Sequence, residues 1–247
     1  MASFHGLWSL AGFTGAIVGS FFVSRGISPV YHFSTVCFTT ALLVIAAYKY
    51  TLPDSGNANQ QSFFTKPDKQ ILILGLIAFC CMLCEGAMAD WSGIYFQKVV
   101  DSPKAFTTVG FVAFTGSMAA GRFIGDWLVT RFGIKHILQL SGYIISTGLL
   151  TAVLFPSIPG STLGFLLVGF GVSSVVPIVY GLAGKSTSMS AGAALASVST
   201  ISFIGFLIGP PVIGFIAQLS SLRISFTLIA ILGFATVFLA TKIKTSK

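Results

Sequence analysis

Glu85 and Asp90 stand five residues apart in the otherwise uncharged run ILGLIAFCCMLCEGAMADWSGIYF. Glu85 lies 16 residues beyond Lys69, about 24 Å along a helix. An ionised carboxyl in apolar surroundings costs several kcal/mol unless it is paired, wetted or protonated. Burial disfavours the charged form, so Glu85 is suited to carrying a proton or touching a polar solute; the plain alternative is a wetted, tolerated polar side chain. No basic residue falls at matching depth in any apolar segment, which leaves protonation, or a partner that the chain does not supply. Asp90 is about 140° around a helix from Glu85 and ~8 Å further along, so the two do not form a general acid–base pair. It is placed for gating or solute access, or as an ordinary interfacial charge within reach of Lys98 or Lys104. Trp91 and Tyr95, one helical turn apart, suit stacking on a sugar ring or a belt of aromatics at an interface.

Other reactive side chains do not converge. Cys80, Cys81 and Cys84 beside Glu85 superficially suggest a metal cluster, but deprotonated thiols and their supporting shell are costly in an apolar setting. Small apolar packing is the expectation, with no metal. Cys37 stands alone, and nothing suggests disulfides. His5, His32 and His136 are not at metal-ligand spacing. No HExxH, nucleophile elbow, P-loop or dinucleotide fingerprint is present, so neither a cofactor, an enzymatic activity nor an ATP-driven pump is expected. Ser173, Ser174 and Tyr180 beside Pro177, with Ser197, Ser199 and Thr200, either line a wet cavity or bond quietly between helices.

The elements that position these groups follow from composition. Of 247 residues 54% are hydrophobic and 8% charged, and the mean hydropathy is +0.91, against about 25% charged residues in soluble chains. A soluble enzyme, a nucleic-acid-binding domain and a disordered chain are excluded. The chain is expected to be an all-α polytopic transmembrane bundle whose partners are the lipid bilayer and a small-molecule solute; its oligomeric state stays open. Uncharged stretches divide into eight spans of about 20 residues or more: 4–24, 29–48, 70–97, 106–129, 136–155, 161–184, 191–219 and 223–241, the fifth and sixth separated at the turn signal Ser157-Ile158-Pro159-Gly160. None shows the alternation of barrel strands. Ten of the 14 Lys and Arg fall on one side of this arrangement, which puts both termini and the 50–69 linker in the cytoplasm, the membrane being the inner one. The N-terminus lacks the pattern of a cleaved secretory signal, so the first span is expected to be permanent. Gly12, Gly15 and Gly19, Gly121 and Gly125, and Gly205 and Gly209 are spaced for close helix contact. Pro177, Pro210 and Pro211 should bend their spans.

Four stretches carry a family resemblance. Gly121-Arg122-Phe123-Ile124-Gly125-Asp126-Trp127-Leu128-Val129-Thr130-Arg131-Phe132-Gly133-Ile134-Lys135 resembles the loop signature between the second and third helices of each six-helix half in the major facilitator superfamily. Its glycines permit a very short turn, and Arg and Asp can form a charge-assisted pair across it. Thr130 stands where an acidic residue is usual, so the acidic partner is either Asp126 or absent. Glu85 to Tyr95 resembles the first helix of the C-terminal half in a sugar-permease branch related to fucose permeases. Gly205-Phe206-Leu207-Ile208-Gly209-Pro210-Pro211-Val212-Ile213-Gly214 is similar to that branch's next-to-last helix, and SFHGLWSLAGFTGAIVG to its fifth. The resemblance implies helices five to twelve of twelve, as in an N-terminally truncated member: residues 1–49 as the end of the N-terminal half, 50–69 as linker and 70–247 as a complete C-terminal half. It further implies a proton-coupled, alternating-access transporter of a small polar, sugar-like solute. In it Glu85, Asp90, Trp91 and Tyr95 would serve coupling or binding, and Gly121, Arg122, Gly125, Asp126, Arg131 and Gly133 a gating loop. The alternative is a truncated, non-transporting membrane protein or subunit; an intramembrane enzyme is the weakest reading.

Overall fold

A computed structural model of the chain describes residues 2–50 and 67–243. Most of the expected 50–69 linker lies outside them, as do Lys66, Lys244, Lys247 and the side chain of His5. The described residues are helical, without strands: α1 (Ala2–Ser24), α2 (Pro29–Tyr48), α3 (Lys69–Lys98), α4 (Val109–Phe132), α5 (Ile134–Leu154), α6 (Ile158–Ser173), α7 (Val175–Ala183), α8 (Ala191–Leu219) and α9 (Leu222–Thr241). Seven segments among them are long and apolar enough to cross a bilayer, α6 and α7 together making one. The eighth, α4, has 24 residues, about 36 Å of helix, but includes Arg122, Asp126 and Arg131. The all-α membrane bundle is thus as expected.

Helix ends follow residue chemistry. Asp68, Ser157, Ser190 and Ser221 each accept a hydrogen bond from the backbone N–H three residues on, which satisfies donors that a helix start leaves orphaned. Gly133 alone separates α4 from α5, at φ 82°, a conformation that strains any residue with a Cβ. The sixth span was expected to continue with a bend at Pro177, but it breaks at Ser174 into α6 and α7. Pro177 has no N–H for the carbonyl of Ser173, four residues back, so the hydrogen-bond ladder lapses there. By contrast, α8 runs as one helix through Pro210-Pro211.

The core gathers on α3, which packs most closely on α8; α4 lies on α6, α5 between α6 and α9, and α1 along α4. Glycines set the closest approaches. A Cβ at Gly86 would stand 2.6 Å from the Phe206 carbonyl, and one at Gly205 2.5 Å from that of Phe79, so α3 and α8 meet backbone to backbone. The freed carbonyl of Phe206, whose i+4 partner is Pro210, is the one that Gly86 covers. Gly12 and Gly15 make no such contact among the described residues. There α4 contributes the glycine: Phe13 of α1 packs on Gly116, and the hydroxyls of Ser20 and Thr108 share a hydrogen bond at 2.7 Å. α2 buries no residue.

Candidate functional site

Arg122 Nη2 lies 3.8 Å from Glu85 Oε1, with the two side chains 4% and 16% exposed. This corrects the expectation that Glu85 has no basic residue at its depth. Arg122 belongs to the buried face of α4, ten residues before its end, about 15 Å inside, and its long flexible side chain reaches across the remaining offset. Glu85 Oε2 is buried and accepts no hydrogen bond among the described residues. At 3.8 Å the contact to Oε1 is longer than a hydrogen bond, and Oε2 is left without one.

Small residues position it. Gly121 packs directly on the side chain of Ser173, and a Cβ at Gly125 would stand 2.9 Å from Ser174 Oγ, so α4 presses against the break between α6 and α7 while Arg122 turns toward α3. A crevice of about 210 Å³ remains beside the break, lined by Arg122, Asp126, Ser173, Ser174, Pro177 and Lys185 among others. Asp126, a candidate partner of the arginine from sequence, lines this crevice one turn beyond Arg122, whereas the ion pair recorded for Arg122 is with Glu85. Arg131 and Gly133 are exposed at the turn.

Farther along α3, Trp91 Nε1 donates to the Pro210 carbonyl at 3.0 Å. With exposed Asp90, Ile94, Phe206, Leu207 and Pro211, these residues line a cleft of about 450 Å³ on the α3–α8 face. Neither Lys98 nor Lys104 pairs with Asp90 among the described residues. Tyr95 departs from both sequence readings. It is fully buried, its ring centroid 4.6 Å from that of Phe226 and 5.6 Å from that of Phe165, and its hydroxyl donates to the Ala152 carbonyl at 2.9 Å. The i, i+4 spacing did not keep both rings on one surface: Trp91 is taken by α8, Tyr95 by the core. Of the hydroxyls singled out from sequence, Ser173 and Ser174 line the crevice, Ser197 bonds back to its own helix, and Tyr180 meets Ser202 at 3.2 Å. Ser202 carried no signal of its own in the sequence. Cys80, Cys81 and Cys84 are buried as free thiols, Cys81 directed at the Val172 carbonyl at 3.7 Å.

The family model described as Major Facilitator Superfamily matches residues 1–193. The chain belongs to that superfamily. It is 35% identical over 232 residues to an uncharacterized MFS-type transporter of Yersinia pestis, covering 94% of this chain and 60% of that protein. It is 32% identical to the membrane protein MosC of Rhizobium meliloti, covering 88% and 53%, and 30% identical to the uncharacterized transporter y4wD of Sinorhizobium fredii, covering 99% and 65%. The chain thus spans between about half and two thirds of the length of these relatives. Two solved structures share its fold: FucP in the outward conformation (TM-score 0.67, 17% identity, 89% of this chain and 59% of that one) and a variant of the E. coli fucose:proton symporter FucP (TM-score 0.69, 15%, 99% and 70%). This MFS protein is a multi-pass membrane protein whose relatives are named as transporters or membrane proteins, not enzymes.

Proposed function

We propose that this MFS protein provides the moving C-terminal half, α3 to α9, and two helices of the N-terminal half, α1 and α2, of a secondary active transporter. It moves a small polar, sugar-like solute by alternating access, coupled to protons, in the inner membrane with both ends cytoplasmic. The observation that carries this reading is the buried Glu85–Arg122 pair. Such a pair is expensive to keep away from water, and its unpartnered Oε2 gives a proton somewhere to bind. When Glu85 is protonated the attraction to Arg122 weakens, which gives the bundle two electrostatic states on which alternation can draw. Asp90 offers hydrogen-bond acceptors, and Trp91 and Phe206 offer aromatic faces, in one cleft; that is the chemistry of a polyol with an apolar ring face. The fold shared with a fucose:proton symporter supports the same solute class.

The test is a panel of labelled monosaccharides in reconstituted vesicles with a pH dye inside. At least one solute is expected to enter with protons, and Glu85→Gln to uncouple the two. Unchanged proton movement in Glu85→Gln removes the coupling role. A second reading, a non-transporting membrane subunit, draws on α2, which buries none of its side chains; it predicts no uptake of any sugar in the panel.

A further inference from the structure

The crevice beside Arg122 does not end at the α6–α7 break. It shares Ile134, Leu182 and Lys185 with a wider vestibule of about 890 Å³ at the end of the bundle where α3 begins and α9 finishes, lined there by Asp68, Lys69, Ser186, Ser188 and Lys242. Toward α8 and toward the far end of α3 the bundle around the ion pair is closely packed. Gly86 and Gly209 seat α3 on α8 backbone to backbone, and the rings of Tyr95, Phe165 and Phe226 fill the core toward the far end of α3. We propose that this crevice is the aqueous route by which protons reach and leave Glu85, with Asp126 as the relay carboxylate between the vestibule and the pair. The proposal rests on the reading of Glu85 as the proton carrier.

The crevice has the size and lining that a short file of waters needs. Each water takes about 30 Å³ and two to four polar partners. Ser173 and Ser174 offer hydroxyls, and the Ser173 carbonyl is left without its helical donor by Pro177. The groups facing Glu85 are Arg122 from α4 and the thiols of Cys81 and Cys84 on α3 itself; α6 and α8 contribute no charged residue. Within the crevice Asp126 shares space with Arg122 and Lys185 alone among charged groups. A proton from bulk water protonates the Asp126 carboxylate, then passes through the water file to Glu85 Oε2, leaving Asp126 ionised again.

Gly181 lines the crevice on α7, and a side chain there meets nothing within 4 Å, so it can be probed without disturbing the core. In sealed vesicles carrying Cys37→Ser, Gly181→Cys should react with a membrane-impermeant thiol reagent from the side of the chain termini only. Glu85 protonation after a pH jump is followed by the infrared carboxyl band that Glu85→Gln removes. Asp126→Asn and Gly181→Trp should slow its appearance at least ~10-fold, whereas Gly12→Trp, which also faces open space, should not. A Gly181→Cys thiol unreactive from both sides, or native kinetics in Asp126→Asn and Gly181→Trp, overturns the route while leaving the carrier intact. Absence of any Glu85 band at every pH overturns the carrier reading itself, and the route with it.

Discussion

A carboxyl and a guanidinium buried together do not suffer equally when the other is removed. Glu85 left alone can take up a proton and become neutral, whereas Arg122 left alone stays charged. Glu85→Leu is therefore expected to destabilise the fold by about 3–5 kcal/mol, and Arg122→Leu by clearly less, as ranked by thermal unfolding in detergent; the reverse order would mean that the pair does not carry this part of the bundle. Asp68 gives a separate test at the membrane edge. The Ile71 N–H, then the Ser188 hydroxyl, hold its carboxyl below the usual carboxylate range. A lowered folded value stabilises above the unfolded value of about 4, and that contribution is lost as the pH falls through the lowered value. Asp68→Ala should cost about 1 kcal/mol and speed hydrogen exchange at the Ile71 amide near neutral pH, with the difference from the native chain vanishing in acid. Glu85 was legible from sequence because one glutamate in an apolar run is conspicuous. Its partner was not, because depth counted along each helix omits the reach of a side chain.

Among the helices, glycine position decides how closely the backbones approach. Gly86 sits against the Phe206 carbonyl, and Gly12 faces open space. Gly86→Ala is expected to cost about 1–3 kcal/mol through overpacking, while Gly12→Ala should stabilise by a few tenths to ~1 kcal/mol by restricting the unfolded chain. Thermal unfolding of both variants in one detergent checks the contrast, and equal effects would contradict the glycine seam. Spacing alone marked Gly12 as a contact residue and gave no such mark to Gly86, since a small-xxx-small repeat says that close approach is allowed and not which side supplies the partner. Pro177 likewise announced a disturbed span. Its outcome, a break at Ser174 opposite Gly121 and Gly125, depended on α4 pressing there.

For the whole molecule, the positive-inside bias makes a topological prediction: protease added to sealed inside-out vesicles should cut the 50–69 connection, and protease added to intact cells should not. Cleavage from outside would invert the orientation and with it the side from which the crevice opens. Composition and periodicity by themselves determined the solvent, the helical class, the number of lengthwise segments and most of their ends, because a bilayer demands about 20 apolar residues per crossing and leaves charge only where it is paid for locally. The motifs determined the family. Only the tertiary structure decided that Arg122 meets Glu85, that Tyr95 is core while Trp91 lines a cleft, and that a crevice lined by Arg122 lies beside the broken sixth span and adjoins a vestibule at one end of the bundle. Those are relations between helices far apart in sequence, set by rotation, offset and side-chain reach, and a one-dimensional pattern does not encode them locally.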